Sequence, residues 1–575
     1  MISILEQLHT DAMQRLKESR SADGMWRGHL SSSAISTSVS VFALQRIDAQ
    51  KYEPQIKAGV EWLHRTMTAE GTWGDSAESP SNMTATLLTY VSLYAVGQAP
   101  AAARNYLNKQ FGGDSEKALI NGVITYYGKD LTFSVPILMM CALAGVISNW
   151  KKIPTFPFEL ATLPQSLFRY LNLPVVSYAI PALIAIGICQ TRRKGSWTAS
   201  LRKPFIPKAL KVMERMQPAD GGFLEAAPLT AFVSMCLAES DLKDHPVTQR
   251  CAQFLVDTVR KDGAWPIDTN LAGWVTSLAG KVLKDDDGID LKALAKIIEK
   301  NATTEIHPFT AAAPGGWGWS DLSGSVPDGD DTCGALVALH HLTKGQYNDK
   351  VGDGLRWLMW LQNNDGGMPT FCKGWGKLPF DRSSPDITAH AILAMGLWLP
   401  VLEEPLKAEV QRSLDRLIGW MEKSIDYDSQ QQPAGWTPLW FGDQDAADEK
   451  APVYGTATAI DYLMQSQHPR AVELATAQLP FLLATQNEDG GWGGNKEVRS
   501  IVTYTCRALS ALAHCGKQYE EQRRRGWQYI YNRYKERTLY DPEPIGLYFS
   551  RLWYSEELYS ITFLLHAINC EYNDK

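Results

Sequence analysis

Three aspartates within four positions form a segment suited to acid chemistry. Asp328, Asp330 and Asp331 stand in the run Val-Pro-Asp-Gly-Asp-Asp-Thr, directly before an apolar helical pattern. One interpretation is an ordinary helix start, because the helix dipole favours acidic residues in the first turn. Three crowded carboxylates exceed what capping requires, however, and like charges raise the pKa of at least one of them. A carboxyl that stays protonated in a dry cavity is a proton donor, and its strength is what protonation of an alkene demands.

The elements that must position these aspartates are predominantly helical. Apolar residues recur with the helical period, as in 335–342, 389–399 and 501–512, whereas strand-like alternation is scarce. The 575 residues exceed what one ordinary core organises, so two large domains or a repeat architecture are expected. A net charge of −7 excludes a generally basic nucleic-acid binder, and 45% hydrophobic against 21% charged residues excludes wholesale disorder.

A recurring turn separates the helices and accounts for part of the unusual content of 19 tryptophans. Most copies have Asp or Glu, one or two glycines and then an aromatic residue. Glycine permits the positive φ of a sharp turn after a helix, so the aromatic ring can fold back over the helix end. Upstream glutamines such as Gln362 and Gln486 can cap backbone groups there. The copies end at Trp26, Trp73, Phe223, Trp265, Met368 and Trp492, with a looser one at Trp436.

Repeated helix pairs need a closed ring or a stack to bury their faces, and the irregular spacing disfavours a uniform open solenoid. The turns resemble the QW repeats of terpene cyclases related to squalene–hopene cyclase, over nearly the whole chain. That resemblance implies an all-α fold of two (α/α) double-helix barrels, or α-toroids. The catalytic barrel would use residues 1–27 and 270–575, and the second barrel, 28–269, would be inserted after its first helix. Protein prenyltransferase β-subunits and thioester domains have similar toroids.

The aspartate segment resembles the D-x-D-D-T motif of class II terpene cyclases. In that family the first step is protonation of an alkene by a carboxylic acid. The resemblance places the general acid at Asp330, with Asp328 and Asp331 as flanking carboxyls that hold and tune it.

A second motif supports this resemblance. The stretch Ser-Pro-Asp-Ile-Thr-Ala-His at 384–390 resembles the family's D-V-T-A-H, in which the His pairs with the catalytic Asp. It implies that His390 bonds Asp330 and that Asp386 supports His390. A cationic His390 would stabilise the carboxylate left after proton loss. Tyr454 matches the family's tyrosine near the acid, which would order a water that reprotonates Asp330.

Aromatic side chains are the expected stabilisers of the carbocations that protonation creates. An aromatic face contributes about 0.5–2 kcal/mol per contact, so several rings must line the cavity. By motif position, the substrate-binding rings are expected to be Trp274, Trp319, Phe371, Trp440 and Tyr554. The tryptophans of the repeat turns are assigned instead to stability: Trp26, Trp73, Trp265 and Trp492.

The implied function is a protonation-initiated cyclisation of a linear polyprene, with squalene or a related C30 polyprene as the first candidate. Geranylgeranyl diphosphate or a prenylated aromatic compound is the alternative. No metal or other cofactor is expected for the protonation. The sequence departs from hopene-forming members at Val135, where the family commonly has Arg, and at Ala227-Pro228, where it has Gln-Pro.

Three other kinds of site fit the sequence less well. Asp286-Asp287-Gly288-Ile289-Asp290 reads as the class I metal motif D-D-x-x-D, but it lacks a second metal motif and suits a solvated loop. A protein prenyltransferase needs an Asp/Cys/His zinc site, and no such cluster is recognisable in the sequence. A thioester-type binding module would carry Cys-Gly-Glu-Gln, which is absent from the sequence.

The expected partners are a hydrophobic polyprenyl substrate, a membrane surface and a second copy of the chain in a homodimer, but no nucleic acid. Residues 191–215 carry eight Lys or Arg and one Glu between apolar residues. This segment is interpreted as a monotopic membrane contact, with a solvated linker or a diphosphate-binding patch as alternatives. Nine scattered cysteines and the lack of a signal-like N-terminus predict a cytoplasmic protein, peripheral on the inner face of the membrane.

Overall fold

A computed structural model describes residues 2–128, 131–163, 180–194, 197–308, 312–371, 381–548 and 552–573. Cys372 and residues 195–196 of the basic segment lie outside the described residues. The α-helices of the described part are α1 Ile2–Glu18, α2 Ala34–Asp48, α3 Glu53–Arg65, α4 Met83–Ala95, α5 Ala101–Phe111, α6 Glu116–Tyr127, α7 Leu131–Leu143, α8 Ile180–Arg193, α9 Trp197–Arg202, α10 Ile206–Met216, α11 Ala227–Leu237, α12 Pro246–Thr258, α13 Ala272–Val282, α14 Leu291–Lys300, α15 Gly329–Thr343, α16 Asp349–Leu361, α17 Pro385–Trp398, α18 Leu406–Met421, α19 Pro452–Gln465, α20 Pro469–Ala484, α21 Val502–Ala513, α22 Glu520–Lys535 and α23 Glu557–Asn573.

Short strands and tight helical turns complete the described structure. Strand β1 Ser32–Ser33 pairs antiparallel with β2 Trp265–Pro266, and β3 Gly546–Tyr548 pairs with β4 Leu552–Tyr554. The short helical turns are Trp150–Lys152, Phe158–Thr162, Lys203–Phe205, Ala238–Leu242, Asp285–Asp287, Leu399–Val401 and Lys517–Tyr519.

The C-terminal half forms a closed ring of paired helices. Its inner helices α13, α15, α17, α19, α21 and α23 each pack against the next, and α23 packs back against α13. The outer helices α14, α16, α18, α20 and α22 lie against them, and α1 completes the outer layer by packing on α22 and α23. The inner helices are buried on nearly all sides, which explains why their sequences lack a distinct polar face.

The N-terminal half forms a second ring. Helices α2, α4, α7, α8 and α11 pack in sequence, and α11 closes on α2. The helices α3, α5, α6, α10 and α12 lie outside them. The predicted all-α fold of two (α/α) barrels is therefore confirmed.

The repeat turns join outer helices to inner helices through one repeated pair of hydrogen bonds. In the turn at Trp73, the indole Nε1 donates to the carbonyl of Leu63 at 2.7 Å, and the backbone N donates to Thr86 Oγ1 at 3.1 Å. The same two bonds recur at Trp265, whose backbone N donates to Thr37, 228 positions earlier in the chain. Each tryptophan thus caps the helix before the turn and is held by a threonine of an inner helix. Equivalent indole bonds are made by Trp26, Trp317 and Trp492.

Glutamine amides close the turns as predicted. Gln362 Nε2 donates to the carbonyls of Gly366, at 2.7 Å, and Ser413, at 3.2 Å. Gln486 makes the same pair of bonds, to Gly490 at 2.8 Å and Gln522 at 2.9 Å. One amide therefore fixes its own turn to the next outer helix.

The helices of the described residues are all too short or too polar to cross a membrane. The apolar stretches of α7 and α8 are instead inner helices of the second ring, buried among other helices.

Candidate active site

The aspartate segment begins the inner helix α15. Asp328 is its N-cap, and its Oδ1 accepts a hydrogen bond from the backbone N of Asp331 at 2.8 Å. Gly329 fits tightly behind it, because a Cβ at this position would lie 2.6 Å from the carbonyl oxygen of Pro369. Asp328 therefore caps the helix, as expected for a helix start. Asp330 and Asp331 lie in the first turn of α15.

The three aspartates differ sharply in exposure. Asp328 and Asp331 are buried, whereas 26% of the Asp330 side-chain surface is exposed. Burial raises the pKa of Asp328 to about 7, and burial followed by the charge of Asp328 raises that of Asp331 well above its usual range. The expected rise in pKa is thus present, but its largest cause is burial rather than crowding. It falls on the two carboxyls that flank Asp330.

His390 joins Asp330 across the ring. It lies on α17, and its Nδ1 is 2.6 Å from Asp330 Oδ1. Burial lowers the pKa of His390, although the bonded Asp330 opposes this effect. The expectation of a cationic His390 therefore runs against its environment, which favours the neutral imidazole.

Asp386 lies one turn before His390 on the same helix. Its Oδ1 accepts a hydrogen bond from the hydroxyl of Ser384, and no hydrogen bond joins it to His390, both residues being in the described part. Burial raises the pKa of Asp386 to about 6, and the nearby Asp330 adds to the rise. The interaction between Asp386 and Asp330 is therefore electrostatic.

Tyr462 of α19 packs on His390, and Lys281 of α13 contacts Tyr462; neither residue is among those predicted from the sequence. The ring of Tyr462 stacks on the imidazole with centroids 4.4 Å apart and 14° between the planes. Lys281 Nζ lies 4.8 Å from the centre of the Tyr462 ring. A signal was available, since Tyr462 follows Tyr454 by eight residues and Lys281 follows Trp274 by seven, which places each pair on one helix face.

Tyr454 lies next to this group but contacts other residues. Its ring stacks on Phe441 at 4.2 Å and meets the edge of Tyr504 at 5.9 Å. The guanidinium of Arg507 lies 5.5 Å from the centre of the Tyr454 ring. Burial raises the pKa of Tyr454 well above its usual range, so the phenol stays neutral.

Four of the five predicted substrate-binding rings make aromatic contacts, one of them with His390 and the other three with one another. Trp274 meets His390 edge-on, with centroids 6.2 Å apart. Phe371 lies between Trp319, at 5.8 Å, and Trp440, at 5.2 Å, with both pairs in edge-to-face geometry. The backbone N of Trp274 donates to the carbonyl of Trp319 at 3.2 Å, which connects the two groups.

The fifth ring, Tyr554, lies on strand β4. It stands opposite Gly546, and a Cβ added at that glycine would lie 2.3 Å from the Tyr554 ring. Burial raises the pKa of Tyr554, and its hydroxyl is hydrogen-bonded to Tyr559.

An apolar cavity lies in the second ring. Thr84 and Tyr127 are among its few polar neighbours, and Pro228, one of the departures from hopene-forming members, is part of its wall. Thr132 is a further polar neighbour. The rest of the lining is apolar: Ile35, Leu88, Phe133, Pro136, Ile137, Ala182, Leu224, Ala226, Leu229, Phe232 and Leu552. Val135, the other departure, is completely buried.

The aspartates of the D-D-x-x-D stretch make local hydrogen bonds in a loop and at a helix start. Asp290 is the N-cap of α14 and accepts from the backbone N of Ala293 at 2.9 Å. Asp287 accepts from the backbone N of Lys284 at 2.6 Å, and Asp286 is exposed.

The first three cationic residues of the basic segment 191–215 bind other parts of the protein. Arg192 bonds the carbonyl of Ser240, and Arg193 forms an ion pair with Glu239 at 2.5 Å. Lys194 Nζ donates to the carbonyl of Ile153 at 2.7 Å. These groups therefore serve as internal contacts of the second ring.

Comparison with known proteins gives the family. Residues 309–573 match the Squalene-hopene cyclase C-terminal domain and residues 10–113 match the Squalene-hopene cyclase N-terminal domain. The two matches together span more than half of the chain. The protein belongs to the squalene–hopene cyclase family and is an enzyme of the class II terpene cyclase type.

Individual relatives differ in their substrates. A protein named "Probable squalene–hopene cyclase" from Sinorhizobium fredii is 22% identical over 94% of this chain and 92% of its own length. Drimenyl diphosphate synthase from Streptomyces showdoensis is 30% identical over 63% of this chain and 59% of its own length. The solved structure of ent-copalyl diphosphate synthase from Streptomyces platensis has the same fold, with a TM-score of 0.57 at 17% identity over 98% of this chain and 99% of that one.

Proposed function

We propose that this cyclase protonates a terminal double bond of a linear C30 polyprene such as squalene, with Asp330 as the acid. The observation that carries the assignment is the contrast among the three aspartates. Asp330 alone combines an open side-chain surface with a hydrogen bond to a buried imidazole. Asp328 and Asp331 are buried.

The neutral His390 fits a positioning role for the acid. If Nδ1 carries the proton, it donates to Asp330 Oδ1 and leaves Oδ2 to hold the transferable proton. After proton transfer to the alkene, the same N–H bond stabilises the aspartate carboxylate. The raised pKa values of Asp328 and Asp331 favour their neutral forms, so that no extra negative charge competes with Asp330 for protons.

The aromatic groups supply the next step. Protonation leaves a tertiary carbocation, and an anion beside it would capture or deprotonate it early. The faces of Trp274, Trp319, Phe371 and Trp440 offer electron density without a nucleophile. The rings also exclude water, which keeps the cascade from ending after the first ring closure.

A hydrocarbon substrate suits the second ring. Its cavity is lined by apolar side chains and carries no charged residue among those that line it. The first three cations of the basic segment, Arg192, Arg193 and Lys194, are engaged in ion pairs and carbonyl contacts. A diphosphate would have to displace these contacts.

Membrane contact fits the same substrate. Leu201 and Phe205 are 64% and 43% exposed, and Lys203, Lys208 and Lys211 are exposed around them. Apolar tips flanked by lysines suit the interface of an anionic bilayer, from which an insoluble polyprene would enter.

A prenyl diphosphate is the second candidate. It is favoured by the relative that is 30% identical, which is named for its drimenyl diphosphate product. In that case the head group would need a cationic site other than the three engaged residues.

The test is incubation of the purified protein with squalene, oxidosqualene and geranylgeranyl diphosphate, followed by product analysis by mass spectrometry. We expect cyclic products from squalene or oxidosqualene and none from the Asp330→Asn variant. Turnover of the diphosphate alone would establish the second candidate and overturn the C30 proposal. Turnover that survives in Asp330→Asn would overturn the acid assignment whichever substrate reacts.

A further inference from the structure

A second cluster of reactive side chains lies in the ring of the C-terminal half and includes neither Asp330 nor His390. Asp461 on α19 places Oδ1 at 2.9 Å from His514 Nε2 and Oδ2 at 2.9 Å from His566 Nε2. Cys570 Sγ lies 3.5 Å from His514 Nε2 and 3.6 Å from His566 Nε2. His566 and Cys570 are four residues apart on α23, and His514 is the C-cap of α21. This cluster is not evident from the sequence because its members are up to 109 positions apart in the chain.

We infer that Asp461, His514 and Cys570 bind a divalent metal ion of the zinc type, because one donor atom of each lies within 4.8 Å of the other two. A carboxylate, an imidazole and a thiolate are donors that Zn²⁺ takes in proteins, in tetrahedral sites. Bond lengths of roughly 2.0–2.3 Å put neighbouring donors of a tetrahedron about 3.3–3.8 Å apart. The distance of 3.5 Å between Cys570 Sγ and His514 Nε2 lies within that range. The distance of 2.9 Å between Asp461 Oδ1 and His514 Nε2 is shorter, so binding has to open it slightly.

The proton inventory at His514 favours an ion over purely hydrogen-bonded contacts. His514 Nε2 faces both Asp461 Oδ1 and Cys570 Sγ. A protonated Nε2 can donate to Asp461 but cannot accept from the Cys570 thiol, whereas a bare Nε2 turns its lone pair toward the carboxylate. An ion among the three donor atoms uses the lone pairs of all three. His566, 2.9 Å from Asp461 Oδ2, is then a hydrogen-bond partner of the carboxylate.

The surroundings are compatible with a metal site. Asp461 is completely buried, whereas 22% of the His514 side chain is exposed, which offers a path for an ion to enter. Gln465 Nε2 donates to Asp461 Oδ1 at 2.7 Å and orients the carboxylate. Lys281 Nζ forms an ion pair with Oδ2 at 3.9 Å, and His566 Nε2 lies 2.9 Å from the same oxygen, so Oδ1 is the oxygen that faces His514.

The function of such an ion would be structural. It would tie together α19, α21 and α23, three inner helices that follow one another around the ring.

The experiment is metal analysis of the full-length protein purified without chelators. We expect about one zinc per chain, and loss of most of it in Cys570→Ala and in His514→Ala. The matched control is Cys506→Ser, a buried thiol on α21 outside the cluster, which should retain the metal.

Cobalt substitution keeps the test independent of variant folding. The wild-type protein loaded with Co²⁺ should show the visible absorption of tetrahedral cobalt and a thiolate-to-cobalt charge-transfer band, and Cys570→Ser should lose that band. Less than a tenth of an equivalent of metal, both as purified and after addition of Zn²⁺ or Co²⁺, would overturn the inference. So would stoichiometric metal that Cys570→Ala and His514→Ala leave in place.

Discussion

His390 Nδ1 lies 2.6 Å from Asp330 Oδ1, with the imidazole buried and the carboxyl partly open. This pairing separates two requirements that one residue could not meet. A general acid at Asp330, as proposed, needs access to the substrate, whereas its hydrogen-bond partner needs a fixed position in a dry environment. The stacked ring of Tyr462 and the edge of Trp274 supply that position.

Replacing the acid is the first prediction. Asp330→Asn is expected to lower kcat by about 10²–10⁴-fold or more, because an amide occupies nearly the same volume but cannot serve as a proton donor to an alkene. Product formation from the best substrate, measured at saturation, gives the value. Asp349→Asn, at the exposed start of α16, is the matched control and should leave kcat unchanged. Comparable activity in the two variants would contradict the assignment.

The hydrogen bond from His390 gives the second prediction. His390→Gln should lower kcat by about 10–100-fold, the effect of one hydrogen bond to a charged group, while KM changes little. KM is spared because His390 acts through Asp330 rather than on the substrate. His341→Gln, an exposed histidine of α15, serves as the control. A rise in KM with unchanged kcat would show that His390 shapes the cavity instead.

The aromatic groups give the third prediction. Trp319→Leu removes a ring that contacts Phe371, and the loss of one cation–π contact should lower kcat by about 2–30-fold and increase the share of products with fewer rings. Trp319→Phe keeps an aromatic face and should behave more like the wild type. Gas chromatography with mass spectrometry measures both effects. Equal product spectra for the Leu and Phe variants would indicate that Trp319 only fills space.

The sequence predicts the local parts of this structure well. Helical periodicity and the glycine turns indicate closed rings of helices, because each turn contains its own capping groups. Gln362 and its turn illustrate this, since the amide reaches a glycine only four residues later. The family resemblance also follows from short motifs that are contiguous in the chain.

Contacts between distant segments could not be predicted in the same way. Thr37 holds Trp265, and Tyr462 stacks on His390, only because the rings close. Burial likewise depends on the whole fold, so the sequence suggested a cationic His390 where burial lowers its pKa. The cluster around Asp461 was missed for the same reason.

The turn tryptophans give the fourth prediction. Trp73→Phe leaves the buried carbonyl of Leu63 without its indole donor, which should lower the free energy of unfolding by about 1–3 kcal/mol, with a further loss for the smaller ring. Urea denaturation followed by circular dichroism measures the change. Product ratios should stay the same, since Trp73 belongs to a turn of the second ring. An unchanged denaturation midpoint would contradict its role in stability.

A buried glutamate gives the fifth prediction, which concerns pH. Glu556 is buried, and its Oε1 accepts from the backbone N atoms of His29, at 3.0 Å, and Leu558, at 3.2 Å. Burial raises the pKa of Glu556 to about 8. Because an unfolded glutamate titrates near ~4.3, the folded state binds this proton more tightly. Between about pH 4 and pH 8 the wild type therefore loses stability as pH rises, by at most ~1.4 kcal/mol per pH unit from this group.

Glu556→Gln removes that titration while keeping an oxygen acceptor. Relative to the wild type, its free energy of unfolding should rise between pH 5 and pH 8 by about 1 kcal/mol or more. Urea denaturation at pH 5, 6.5 and 8 measures the trend. Glu557→Gln, the exposed neighbour in the first turn of α23, corrects for general effects of lost charge and should run parallel to the wild type. A Glu556→Gln curve that also runs parallel to the wild type would mean that Glu556 is ionised in the folded protein, and the pKa assigned to it would then be wrong.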